Sequence, residues 1–315
     1  MAHRIGKTSA TRLRGSFVAM VTPFNADGSV DFGAFRDLIR LQEENGTAAL
    51  FFLGTAGEAA VLTEEEKRRI VVETARMKSG RIPFLYGCTG LNTADAVANV
   101  RFARDNGADG AMLTVPRYAG PSEEDAEAYF HEVADAADLP VGIYNNPARL
   151  QTDMHWDQLL RLFRHPNIVV YKEGTGRTGQ VAQVLREAPD VSFMGNDSPD
   201  PDIAAPVMAL GGDGLCNAAG NIAPAELALL SRPWDDPDQP ARFREAYLRL
   251  APLFWFTYCA RSPVALKSLM RAVGLPAGEP RRPLRPLDPQ RLRDGVRLLA
   301  ELGIAERYGY RLPAA

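Results

Sequence analysis

Short runs of apolar and β-branched residues alternate with longer amphipathic stretches along most of the chain. Eight runs are strand-sized: 16–21, 48–53, 82–87, 110–115, 140–144, 168–172, 191–195 and 213–217. The stretches between them carry helix-start signals. Thr63 followed by Glu66 forms a capping box ahead of 67–77, the hydroxyl and the carboxylate each taking a backbone N–H that the first turn leaves free. Ser122 precedes Glu123, Glu124 and Asp125, where acids suit the positive end of the helix dipole, and Thr93-Ala94-Asp95 opens a third helix. Repeated strand–helix units predict parallel strands, and eight of them predict an α/β fold closed as a (β/α)8 TIM barrel, with its site where the strands end. An open doubly wound sheet is the alternative, weakened because no dinucleotide-type glycine fingerprint follows the first run. Past Pro224 the pattern changes. A proline-rich break at 232–240 and another at 276–289 set off three expected helices, at about 241–259, 262–274 and 289–302. The predicted plan is an N-terminal arm (1–14), a catalytic barrel (15–235) and a C-terminal three-helix extension (236–315).

Composition excludes several classes of function. A chain that is 46% hydrophobic and 24% charged is that of a soluble globular protein. Its net charge of -3, with no long basic tract, argues against nucleic acid as a partner. No apolar stretch reaches membrane-spanning length, and the polar, basic start from Met1 to Arg14 is no secretory signal; it suits a loose arm or an oligomer contact. Cys88, Cys216 and Cys259 are odd in number and far apart, which predicts no disulfide framework and a reducing cytoplasm. His3, His131, His155 and His165 are equally scattered, so no metal site is expected, and no cofactor.

The most informative residue is Lys172. It ends the run Ile168-Val169-Val170-Tyr171 and is followed by Glu173-Gly174-Thr175-Gly176, a buried strand running into a loop. Burial disfavours an ammonium, so the amine there is more easily neutral and nucleophilic, as a Schiff-base lysine must be. A lysine paired with Glu173 or another neighbour is the competing account of the same segment. Other features follow other runs. Gly54-Thr55-Ala56-Gly57-Glu58 offers backbone amides and a hydroxyl to an anion, or is an ordinary glycine loop. Pro116-Arg117-Tyr118 follows the fourth run, and Tyr144-Asn145-Asn146-Pro147-Ala148-Arg149 closes the fifth. Tyr144 could pack the rim or shuttle protons across the barrel mouth, and Arg149 could be a surface charge or a carboxylate clamp. In a barrel these positions converge on one pocket.

Taken together these motifs resemble the dihydrodipicolinate synthase/N-acetylneuraminate lyase family of class I, Schiff-base-forming lyases. The resemblance runs over about residues 14–288. It is carried by Gly15-Ser16-Phe17 through Thr22-Pro23-Phe24, Gly54–Glu58, Tyr144-Asn145-x-Pro147, Lys172-Glu173, Gly211-Gly212-Asp213-Gly214 and Ser262-Pro263. It implies a (β/α)8 barrel with three C-terminal helices, assembled as a homotetramer, a dimer of dimers. It implies that Lys172 condenses with a 2-oxo acid of the pyruvate type and that Tyr144 moves protons. Thr55 would relay them, and Tyr118 would complete the relay from the neighbouring subunit. The implied substrate-binding positions are Gly54, Ala56, Gly57, Arg149, Gly195 and Cys216. Arg149 is the arginine of the synthase branch, where it grips the carboxylate of an aldehyde co-substrate.

The chain also departs from the family. Ala56 stands where a hydroxyl helps hold the oxo acid's carboxylate. Losing one hydrogen bond to a charged group costs roughly 1.5–3 kcal/mol. Arg117-Tyr118-Ala119-Gly120 differs from the synthase loop. Glu64 and Lys67 replace histidines of lysine-inhibited synthases, and Asn217, Ala218 and Ala219 replace hydroxyl-bearing residues behind the pocket. Three functions compete: condensation of a pyruvate-type acid with an aldehyde; a catabolic dehydratase, deaminase or aldolase of a sugar-acid or hydroxyproline-derived oxo acid; and a non-catalytic sensing or structural paralogue. The intact set Lys172, Tyr144, Thr55 and Tyr118 stands against the third.

Overall fold

A computed structural model describes residues 5–187, 189–200 and 202–313. His3 and the first four residues of the arm lie outside the described residues. The strands are β1 (Gly15–Ala19), β2 (Ala49–Phe52), β3 (Phe84–Gly87), β4 (Gly110–Leu113), β5 (Val141–Asn145), β6 (Ile168–Glu173), β7 (Ser192–Asn196) and β8 (Gly214–Asn217). All eight pair in parallel, and β8 returns to β1, so the barrel is closed and the open-sheet alternative is excluded. The expected runs to residues 21, 53 and 115 stop early as strands, although Met20, Val21, Leu53 and Val115 stay buried. Leu53 adopts φ 59°, a left-handed turn that ends the ladder and starts the glycine loop.

The helices are α1 (Phe32–Glu44), α2 (Glu64–Arg76), α3 (Thr93–Asp105), α4 (Glu123–Ala137), α5 (Pro147–Leu150), α6 (Trp156–Leu162), α7 (Thr178–Arg186), α8 (Ala204–Ala209) and α9 (Pro224–Leu230), then α10 (Gln239–Thr257), α11 (Val264–Ala272), α12 (Pro289–Glu301) and α13 (Ile304–Tyr308). The capping box of Thr63 and Glu66 is formed, and Ser122 with Asp125 forms a second. The core lies between strands and helices. Tyr171 packs on Phe163 and Phe193, with ring centroids 5.4 and 5.0 Å apart, while its neighbour Lys172 points to the opposite face of β6.

Two expectations need correction. Residues 5–14 are not loose: Ile5 and Leu13 are buried, Arg12 pairs with Asp213, and the amide of Leu13 donates to Ser192 Oγ at 2.8 Å. The C-terminal region also has a fourth helix, α13, too short to show periodicity and split from α12 by Gly303 at φ 70°. Tyr308 donates to Glu226 Oε2 at 2.6 Å and Tyr310 to the carbonyl of Ile222 at 2.9 Å, which dock this end beside α9.

The extension is tied to the glycine loop by a buried ion pair. Lys267, on α11, donates to Glu58 Oε1 at 2.7 Å and to the carbonyls of Thr22 at 2.9 Å and Glu279 at 3.2 Å. Both side chains of the pair are fully buried. The second oxygen of Glu58 accepts the amide of Arg281 at 2.7 Å, and the Arg281 guanidinium forks onto Glu66. Phe24 presents its ring to both cations, 4.2 Å from Lys267 and 4.4 Å from Arg281.

Candidate active site

Lys172 lies at the C-terminal end of β6, 9% exposed, with Tyr144 as its register partner on β5. Its Nζ sits 4.3 Å from the centre of the Tyr144 ring. The alternative partner, Glu173, faces the other side of the strand. It accepts from Tyr171 at 3.1 Å, from the amide of Thr175 and from Gln180 at 3.5 Å. Burial lifts its carboxyl above the ordinary range, and these donors oppose that.

The Tyr144 hydroxyl accepts from Asn146 Nδ2 at 2.6 Å, while Asn146 Oδ1 takes the amide of Arg149 at 3.2 Å at the start of α5. One amide side chain therefore sets the phenol and the turn carrying the arginine. Tyr144 and Arg149 are half-buried at the mouth. In the glycine loop Thr55 is exposed, Gly54 half-buried, and Ala56 and Gly57 buried. A Cβ on Gly54 would lie 2.8 Å from the Phe51 ring, and one on Gly57 would lie 3.2 Å from the Met20 carbonyl oxygen, so the loop is tightly wound against β1 and β2. Tyr118 is fully exposed on the loop after β4. Gly195 is buried on β7, where a Cβ would meet Leu215 at 3.0 Å and Val207 of α8 at 3.2 Å, so its missing side chain makes room for packing behind the strand. Cys216 is buried on β8, close enough to Lys172 for each to influence the other's charge. Asn217 is spent internally, donating to Ser16 Oγ at 2.9 Å and accepting from Gly220 at 3.0 Å.

Lys172, Tyr144 and Cys216 thus converge, and Arg149 stands on the turn that Asn146 links to Tyr144. Thr55 and Tyr118 stand at the rim, and in one chain the phenol's hydrogen bond goes to Asn146 rather than to either of them. Burial is the largest influence on Lys172 and favours loss of its proton. Cys216, Tyr144 and Asp197 act the other way and together hold the amine above the ordinary lysine value. The sequence predicts a lowered value from desolvation alone; partners contributed by β8 and the turn after β7 reverse the direction. Burial also pushes the Cys216 thiol up, and Lys172 opposes that.

Sequence reasoning missed Asp197, Tyr258 and the part played by Asn146. Asp197 stands directly after β7, the same position relative to its strand that drew attention elsewhere, and that signal was available. Tyr258 follows α10, and nothing local marks it. Two surface clefts of about 410 and 490 Å3 lie away from these residues, beside Trp234 and beside Tyr310. Among the described residues no group of three or more His, Cys, Asp or Glu could hold a metal, and no helix is long and apolar enough to cross a membrane.

A closed parallel barrel with a buried lysine among polar groups at its C-terminal mouth is the architecture of a class I lyase. The sequence profile of the Dihydrodipicolinate synthetase family matches residues 12–302, and the chain belongs to that family. The 4-hydroxy-tetrahydrodipicolinate synthase of Neisseria meningitidis serogroup C is 37% identical over 275 residues, covering 87% of this chain and 94% of that protein. The synthase of Methanothrix thermoacetophila is 32% identical over 292 residues, 92% of this chain and 98% of its own. The solved structure of chloride-inhibited dihydrodipicolinate synthase from Acinetobacter baumannii, complexed with pyruvate, superposes with a TM-score of 0.86 at 30% identity, covering 93% of this chain and 99% of that one.

Proposed function

We propose that Lys172 forms a Schiff base with a 2-oxo acid of the pyruvate type, and that the reaction is nearest to the condensation of pyruvate with aspartate semialdehyde by 4-hydroxy-tetrahydrodipicolinate synthase. The observation that carries this reading is the buried Lys172 amine on the face of Tyr144 at the mouth of the barrel. The amine adds to the keto carbon, the carbinolamine loses water, and the protonated imine draws electrons so that C3 can lose a proton. The resulting enamine attacks the aldehyde carbon. Tyr144, oriented by Asn146, moves the protons. Thr55 and a neighbouring subunit's copy of Tyr118 extend the relay in a homotetramer, and the full exposure of Tyr118 fits that use. Arg149 receives the carboxylate of the second substrate, while Gly54, Gly57, Gly195 and Cys216 shape the first. Three free cysteines fit a reducing cytoplasm as the site of action.

Ala56 favours a second reading, a catabolic dehydratase, deaminase or aldolase of a larger oxo acid. Its side chain is small, buried and brings no hydroxyl to the first substrate's carboxylate. Imine formation with pyruvate and with longer oxo acids, in wild type and Ala56→Thr, separates the two. If pyruvate is native, the added hydroxyl reaches its carboxylate and raises its affinity by roughly 1–2 kcal/mol, about five- to thirtyfold. If a larger acid is native, the same change weakens it. An unchanged profile removes Ala56 from the carboxylate site. Product formation from pyruvate and aspartate semialdehyde decides the named condensation.

A further inference from the structure

Asp197 is 3% exposed in the turn after β7, and three donors surround its carboxylate. Oδ2 accepts the amides of Ala218 at 2.9 Å and Ala219 at 2.7 Å; Oδ1 accepts the hydroxyl of Tyr258 at 2.8 Å. Two donors belong to the turn after β8, and the third caps the end of α10 in the C-terminal extension. Three hydrogen bonds of this kind suit an anion. Lys172 ends β6 and Asp197 follows the adjacent strand β7; the two make no direct ion pair, and the charge of Asp197 reaches Lys172 through space, beside Tyr144 from β5 and Cys216 from β8. Facing Asp197 are Lys172, Cys216, and Tyr258 and Tyr247 from the α10 side, with Arg149 from α5 acting on Tyr258. Of the groups named here, Asp197 is the one carboxylate.

An imine withdraws electrons only while protonated, and a fixed cation in a desolvated site loses its proton easily. We propose that Asp197 is a positioning residue that supplies the counter-charge keeping the Lys172 imine protonated, and that Tyr258 makes the C-terminal extension part of the site by tuning that charge. This rests on the Schiff-base reading above. The Tyr258 hydroxyl points the positive end of its dipole at the carboxylate and so partly offsets the negative charge that Lys172 feels. Asp197→Asn is nearly isosteric. Its amide oxygen can still take the two backbone amides, and its NH2 can donate to a reoriented Tyr258 hydroxyl. It removes charge with little change of packing.

The test is the rate of cyanoborohydride trapping of the pyruvate adduct as a function of pH, in the full-length wild type, Asp197→Asn, Asp197→Glu and Tyr258→Phe, with thermal melts to establish folding. Asp197→Asn moves the alkaline limb to lower pH by about one pH unit or more, as expected on losing a nearby opposite charge. Asp197→Glu, which keeps the charge, restores most of it. Tyr258→Phe moves the limb the other way, to higher pH. If Asp197→Asn does not fold, the direction of the Tyr258→Phe shift decides. An unmoved limb in folded Asp197→Asn, or a Tyr258→Phe limb that is unmoved or moves to lower pH, overturns the proposal while the Schiff-base reading stands. A wild type that traps neither pyruvate, 2-oxobutyrate nor 2-oxoglutarate overturns both.

Discussion

Lys172→Ala lowers turnover by roughly four orders of magnitude or more, because it removes the covalent intermediate rather than weakening one contact. No other amine replaces it. The other fully enclosed lysine, Lys267, is committed to Glu58 and two carbonyls beside the extension. Arginine at 172 does not rescue, since its guanidinium stays protonated and is no nucleophile. The variant remains folded, because alanine leaves the ladder of β6 with β5 and β7 intact. Steady-state kinetics with the oxo acid that wild type traps best, beside a thermal melt, checks both statements. Turnover within tenfold of wild type in a folded variant contradicts them.

Lys267→Met has the largest expected effect on stability. It leaves the Glu58 carboxylate fully buried with the Arg281 amide as its remaining strong donor, and removing one partner of a buried ion pair costs about 3–5 kcal/mol. For a chain of this size that corresponds to a melting temperature lower by on the order of 10 °C. The loss is not confined to the extension. Glu58 sits at φ 54° two residues beyond Ala56, so loosening it frees the glycine loop and weakens oxo-acid binding as well. Burial pulls the Lys267 ammonium down to about 8, with Glu58 opposing, so the ammonium keeps its proton at neutral pH. Adding Glu58→Gln removes the stranded charge, keeps an acceptor for Arg281, and recovers part of the loss. A double mutant no more stable than Lys267→Met would show that the charge is not what the single variant strands. Thermal melts of the four proteins give the coupling directly.

Much of this was legible because strand and helix signals are local. Eight apolar runs, their caps and the proline-rich breaks gave the barrel and the first three C-terminal helices. Lys172 was legible for the same reason, as a charged residue ending an apolar strand before a glycine loop. What the chain did not disclose depends on distant partners. Glu58 and Lys267 lie 209 residues apart, and each alone is an unremarked charge. Tyr258 reaches Asp197 across 61 residues because α10 folds back over the barrel, which no periodicity in α10 records. The upward displacement of Lys172 needed Cys216 and Asp197 beside it, so desolvation read from one strand gave the wrong direction. Docking of residues 5–14 was hidden too, since the amide of Leu13 and the guanidinium of Arg12 find their partners in Ser192 and Asp213 far along the chain.

The central claim is covalent, and one measurement addresses it most directly. Full-length protein is incubated with pyruvate, reduced with borohydride, digested, and its peptides weighed. The account predicts the added mass of one reduced pyruvyl group on the peptide containing Lys172, absent without pyruvate and absent in Lys172→Ala. An adduct on any other lysine, or one that persists in Lys172→Ala, contradicts it.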